Sequence, residues 1–376
     1  MLKAGCESQG GRRPPSAALP PPTTGNEMSI MRAMPLKSHA HCVPQGCRLI
    51  LMSSWLRTIL EVGYAWGCNA CTDVRGGPKP ATAPATGVVA LSGAGCISTF
   101  GNRGTLDGQF ISPRAVAFDG QGNIAVSSHH RIQIFRYSDM SHLLSFGSEG
   151  RGNGQFDMPW GLCFLGMSGH IAVADCGNHR VQIFDADGKH VRSIGSKGKG
   201  PHQLEAPCAV ACDGRGHIVV HDGGNGRLQV YQLRDGAHVR SLCSLGSDQG
   251  QLEGWGGIAF DGDGNLVVCD RDNSRIQIFE YNSGKLLRIF GGLGKGIGEL
   301  DHPSGIALDS SGHIVVADTF NHRIQVFRCA DGQLIRSIGK KGFGLGEFYF
   351  PDGIAIDGEG RMIVCDKDSD RLQVLE

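Results

Sequence analysis

The residues of this chain whose types and spacing could do chemistry are an aspartate and an arginine five positions apart, and the pair keeps returning. It occurs as Asp175 with Arg180, Asp222 with Arg227, Asp270 with Arg275, Asp318 with Arg323 and Asp366 with Arg371. A ring of general acids would be one use for such carboxylates. A catalytic group is rarely needed five times, whereas an ion pair that fixes a loop or ties neighbouring elements is needed once per element. The repetition therefore assigns these pairs a structural role, and removing one partner of a buried pair should cost about 3 kcal/mol or more. Asn178, Asn225, Asn273 and Asn321 follow each aspartate by three residues and are expected to bond backbone in the same turn, with Ser369 as a weaker substitute in the last copy.

Histidine chemistry is the second candidate. His129, His130, His179, His221, His302 and His322 all fall near one set of loops, yet they share no single repeat position. His221 is the odd one, because the equivalent site is alanine in blades two and five. A metal-dependent lyase or hydrolase would need several such side chains to converge. Near the amino terminus Cys68-x-x-Cys71 has ligand spacing, but the flanking His39, His41, Cys42 and Cys47 supply no second well-spaced pair of the kind zinc requires. The expectation is a chain without catalytic residues, metal or cofactor.

What positions these residues is a repeat. The arginines Arg131, Arg180, Arg227, Arg275, Arg323 and Arg371 each open the pattern Arg, aliphatic, Gln, aliphatic, large apolar, at steps of 47 to 49 residues. Such a period means an array of blades or solenoid units. Around Arg323, the stretches 303–309, 313–318, 323–327 and 333–338 read as four short strands separated by turns, which describes one propeller blade. Within a blade Ile324 and Val326 alternate with Gln325, as if apolar and polar residues took opposite faces. Gly305 and Gly353 stand in the innermost strands, where small residues let strands crowd the axis.

The phase of the repeat carries the topology. Residues 96–100 match the fourth strand of a blade, and the sixth copy stops after its third strand at Leu375. A fourth strand from the start and three from the finish make one blade, which shuts a ring and removes its open sheet edges. The expected fold is all-β: a closed six-bladed propeller over residues 95–376, behind a disordered, low-complexity tail and linker over residues 1–94.

That tail is rich in Pro, Gly, Ser and Thr at its start and holds nine Lys/Arg against four Asp/Glu, leaving the repeats about five charges acidic. Glycine, 58 of 376 residues, is about twice its usual share and is explained by turns. No apolar run approaches the roughly 18 residues of a membrane span, and no secretory signal is read at Met1. Cys163, Cys212, Cys269 and Cys365 fall on strands and read as small buried hydrophobes in a reducing compartment. A monomeric cytoplasmic protein is expected, with an organellar transit peptide in the basic tail as the alternative.

The strings Asp175-Cys176-Gly177-Asn178-His179-Arg180-Val181-Gln182-Ile183-Phe184 and 318–327 resemble the NHL repeat, and residues 95–376 resemble the NHL propeller at the carboxyl end of tripartite-motif proteins. That resemblance implies a non-catalytic recognition module whose loop-bearing face takes protein partners or RNA. The ubiquitin-ligase activity of that family resides in a RING with B-box and coiled coil, whose spacing residues 1–94 lack, so it is not carried over. The expected binding rim comprises Arg103, His129, His130, Arg151, Trp160, Lys197, Lys199, His221, Trp255, Lys295, Phe320, Lys340, Lys341 and Tyr349. Its basic members could meet phosphates, but acids nearer the axis, such as Asp157, Glu205, Glu299 and Glu347, almost cancel them. A protein partner is therefore expected first and RNA second. Blade one, two residues short and lacking Asp and Asn before Arg131, and blade four, with Trp255 where its siblings have Pro, mark where recognition would depart from scaffold.

Overall fold

The computed structural model describes residues 98–376. The expected disordered tail, the transit peptide, the Cys68-x-x-Cys71 pair and Cys96 and Ile97 of the first strand lie outside the described residues. Within the described range the chain forms six four-stranded antiparallel sheets, five of them taken in sequence order from axis to circumference. Blade one runs Pro113–Phe118, Asn123–Ser128, Arg131–Arg136, His142–Phe146. In blade six, Pro351–Ile356, Met362–Asp366 and Arg371–Leu375 are joined by Ser98–Phe100 from the other end of the chain. Ser98 pairs with Val374 and Phe100 with Leu372, the register that the repeat phase predicts.

Packing follows from the strand's place in the blade. Second strands such as Ile171–Asp175 and Leu266–Asp270 are buried along their whole length, because a neighbouring blade covers each face. Outermost strands such as His190–Ile194 alternate half-buried with exposed residues. Six apolar clusters result, each shared by two adjacent blades. One joins Val315, Ala317 and Val326 of blade five to Ile354, Met362 and Val364 of blade six. Another joins Phe110, Val116 and Ile124 of blade one to Ile363, Cys365 and Leu372 of blade six, so the last interface of the ring is as apolar as the rest. Each fully buried Val, Ile or Leu contributes about 1.5–3 kcal/mol.

Near the axis the innermost strands touch backbone to backbone. A Cβ on Gly305 would lie 2.1 Å from the carbonyl oxygen of Asp352, and one on Gly353 2.5 Å from that of Arg114. Glycine is obligatory there because no side chain fits between the strands.

One expectation is corrected. Gln325 does not face solvent opposite Ile324 and Val326; it is fully buried, as are its counterparts Gln133, Gln182, Gln229, Gln277 and Gln373. Third strands are covered on both faces, and the glutamine supplies hydrogen bonds inside the cover. The eight cysteines of the described residues are free thiols.

Candidate functional site

The glycine-rich loops that carry the chain from one blade to the next and the turns between second and third strands share one face. What holds that face is the repeated aspartate. In blade five Asp318 is fully buried. Its Oδ1 accepts the backbone N–H of Asp301 at 2.7 Å, and its Oδ2 accepts Arg323 Nε at 2.7 Å and Gln325 Nε2 at 2.9 Å. Asn321 Nδ2 donates both to Asp318 and, at 2.8 Å, to the carbonyl of Gly294 in the incoming loop. Arg323 reaches the carbonyls of Gly296 and Glu299, each at 2.8 Å. The backbone carbonyl that the asparagine bonds thus belongs to the incoming loop, not to its own turn as expected from the sequence.

The same clamp recurs, with Arg Nε to Asp Oδ2 at 2.8 Å for Arg180, 2.8 Å for Arg227, 2.6 Å for Arg275 and 2.8 Å for Arg371. Burial pushes the carboxyl of Asp318 up from its ordinary range, opposed by the amide of Asp301 and the side chains of Asn321 and Arg323. Asp175, Asp270 and Asp318 each take four donors, Asp222 and Asp366 take three, and all five are shut from solvent, so they serve as scaffold. In blade six Ser369 makes no such bond; its buried hydroxyl finds no partner among the described residues.

At the axis the second residues of five innermost strands, Arg114, Trp160, Cys208, Ser304 and Asp352, with Gly256 just ahead of the sixth, Ile258–Phe260, line a cavity of about 90 Å³. The Arg114 guanidinium lies 3.3 Å from Asp352 Oδ2 and 4.2 Å over the Trp160 ring, and Trp160 meets the edge of Trp255 at 5.7 Å. Lys367 and Arg271 are each the first residue of a turn, and Lys367 lies within electrostatic reach of both Arg114 and Arg271. Burial lowers the pKa of Lys367, and Arg114 lowers it further. Arg271 stands 5.5 Å over Phe320, and its buried Nε has no partner among the described residues.

From the axis an aromatic path runs outward over blades five and six. His302 stacks on Phe320 at 4.4 Å, Phe320 meets Phe350 at 5.4 Å, and Phe350 meets His322 at 4.5 Å. His322 stacks on Tyr349 at 5.4 Å, and Tyr349 on Phe343 at 5.0 Å. Cations border the path, with Lys367 5.6 Å over Phe350 and Lys341 5.2 Å over Tyr349. At its outer end Phe343 is 64% exposed, with Leu345 on the same loop 47% exposed; on the loop leading into blade five Leu293 is 73% and Ile297 88% exposed.

Most expected rim residues lie on this face, though not together. Arg103 is exposed and 3.5 Å from Asp370, Lys197 is 3.8 Å from Glu205, and Lys340 is 3.3 Å from Glu347. Arg151, Lys199 and Lys295 are exposed at separate tips and form no ion pair among the described residues. His129 and His130 contact one another at 4.2 Å in blade one. Trp160, Trp255, Phe320 and Tyr349 are half-buried and belong to the axial mouth and the aromatic path. His221 is a correction: it is fully buried between blades, with Nδ1 2.7 Å from the Gly256 carbonyl, and cannot meet a ligand on the rim. Histidines do not converge, and the described residues hold no group of three or more His, Cys, Asp or Glu arranged to take a metal ion.

The sequence reading missed Arg114, Asp352, Arg271, Lys367, Phe343 and Phe350. A signal existed for four of them. Arg114 and Asp352 occupy the variable middle of Pro-x-Gly/Ala, and Arg271 and Lys367 the variable residue after each clamp aspartate, so positions that change while their neighbours repeat marked the axis.

The NHL repeat profile matches residues 156–184, 256–279 and 300–327, in blades two, four and five. Among curated relatives, the protein lin-41 of Caenorhabditis elegans is 52% identical over 46 residues, 12% of this chain and 4% of the relative. The protein brain tumor of Drosophila melanogaster is 33% identical over 93 residues, 24% of this chain and 9% of the relative. The chain therefore spans less than a tenth of the length of these relatives. A solved streptogramin B lyase superposes with a TM-score of 0.53 at 13% identity, covering 75% of this chain and 97% of that one, a likeness of fold.

Proposed function

The chain is a six-bladed propeller built of NHL repeats, and on that premise we propose that it is a non-catalytic recognition module that takes a protein partner on the loops of blades five and six. The observation that carries this reading is that the loops leading into blades five and six expose the apolar side chains Leu293, Ile297, Phe343 and Leu345, with Phe343 at the outer end of the aromatic path. Polar rims of solvated loops have no use for them, and exposed large apolar side chains grouped on one face mark protein contacts. Lys341, Lys367 and Arg271 along the same path favour a partner segment that mixes apolar and acidic residues. As part of the same reading the propeller is monomeric and works in a reducing compartment, where its thiols stay free.

RNA is the second reading, because Tyr349 lies in a stack between Phe343 and His322 with Lys341 beside it, and a base can join such a stack. The two are separated by selecting peptides from a random library on the full chain and titrating the same protein with pooled single-stranded RNAs at rising salt. Selected peptides should lose about tenfold or more in affinity on Phe343→Ala. RNA affinity that falls steeply with salt and needs Tyr349, with no Phe343-dependent peptide, would replace the first reading by the second.

A further inference from the structure

Blade one has kept the guanidinium of the clamp and lost its acid. Where the other five blades place Asp it has Ser128, and the turn that follows is the two-residue link His129-His130 instead of the longer turn that carries Asn. Ser128 Oγ accepts the backbone N–H of Ile111 at 2.9 Å, which is the duty of Asp Oδ1 elsewhere. Nothing takes the place of Oδ2. Arg131 Nη2 still donates to the carbonyls of Leu106 and Gln109, at 2.7 and 3.0 Å, but its Nε has no acceptor and the side chain forms no ion pair among the described residues. Gln133 Nε2 donates to Gln109 O, whereas Gln182, Gln277, Gln325 and Gln373 also donate to an aspartate. The carbonyl of Gly104, whose counterparts Gly150, Gly198, Gly246 and Gly294 accept an asparagine N–H, receives none.

The missing atoms leave space as well as valence. A cavity of about 270 Å³ opens here, walled by Gly104, Thr105, Ser128, His129, Arg131 and Glu149 among others. That is several times the ~30 Å³ of one water. It opens on the loop-bearing face, so a side chain from outside can enter it.

We propose that this cleft is a carboxylate receptor, in which an aspartate or glutamate side chain of a partner protein docks on Arg131 Nε at the position where the other blades hold their own aspartate. A carboxylate is favoured over a phosphate because the vacated position is that of a single planar oxygen, and Glu149 at the wall opposes a more highly charged group. The proposal rests on the protein-partner reading for the owner of the carboxylate, and not for the cleft itself.

The test follows the Arg131 Nε–H signal of the ¹⁵N-labelled full chain by nuclear magnetic resonance. The probes are acetate, N-acetyl-aspartate N-methylamide, the matching neutral asparagine derivative and inorganic phosphate. The aspartate derivative should shift the signal saturably, and the asparagine derivative should bind about tenfold more weakly, the difference expected of one charge-assisted hydrogen bond. Ser128→Asp supplies the acid in cis, so it should abolish the response while the remaining spectrum keeps its dispersion and the melting temperature rises. No saturable shift with either carboxylate, or a response that persists in Ser128→Asp, overturns the site. Phosphate as the tightest probe overturns it in favour of a phosphoryl ligand, and acetate tighter than the aspartate derivative overturns the assignment to a partner side chain. Carboxylate binding without any Phe343-dependent peptide would sink the reading of blades five and six and leave the cleft standing.

Discussion

Blade five and blade one solve the same problem with different means. Both must pin a glycine-rich loop onto the end of a third strand. Blade five does it with a buried carboxylate that gathers an amide, a guanidinium, a glutamine and a backbone N–H. Blade one keeps the guanidinium and glutamine on loop carbonyls and leaves the centre of the network to one hydroxyl. The loop is held in both, so the carboxylate is not needed to form a blade. What it governs is whether the arginine is internally satisfied or left with a donor pointing at solvent.

The largest effect that bears on this contrast is Asp318→Ala, which strands Arg323 and should cost about 3–5 kcal/mol in chemical denaturation of the full chain. Ser128→Ala at the matching site should cost only about 1–2 kcal/mol, since its hydroxyl accepts the Ile111 N–H and donates to the Ile111 carbonyl. Equal losses would end the distinction between the two blades. Next in size is the arginine itself. Arg323→Met leaves a buried unpaired carboxylate and should again lose about 3 kcal/mol or more, whereas Arg131→Met gives up bonds to carbonyls alone and should lose about 1–2 kcal/mol. Smaller, and of opposite sign, is Ser128→Asp, expected to raise stability by about 1 kcal/mol by completing the clamp. A drop in melting temperature there would mean that the space beside Arg131 does not fit a carboxylate.

The architecture was legible because periodicity and phase are properties of the sequence itself. A fourth strand at residues 96–100 and none after Leu375 foretold the pairing of Ser98 with Val374. The Asp and Arg partners were legible for the same reason, being five residues apart in each copy. The glutamine was not, because a polar residue flanked by Ile324 and Val326 looks like an outward face, and only a neighbouring blade reveals that no outward face exists. His221 misled for a related reason. Its siblings at that position, Ala174 and Ala317, are fully buried, and their small size was the sign that the site has no exit to the rim. The axial pair Arg114 and Asp352 could not be joined from spacing alone, since 238 residues separate them and only ring closure brings them together.

That closure has a mechanical corollary. Ser98–Phe100 runs against Arg371–Leu375, so residues 98 and 375 meet at one end of a seam that, among the described residues, holds three residue pairs. Tension between residues 98 and 375 would therefore peel the seam bond by bond instead of shearing it at once. Pulled between these points in an optical trap, the toroid should release its outermost strand of blade six at low force, before any of the interfaces between blades gives way.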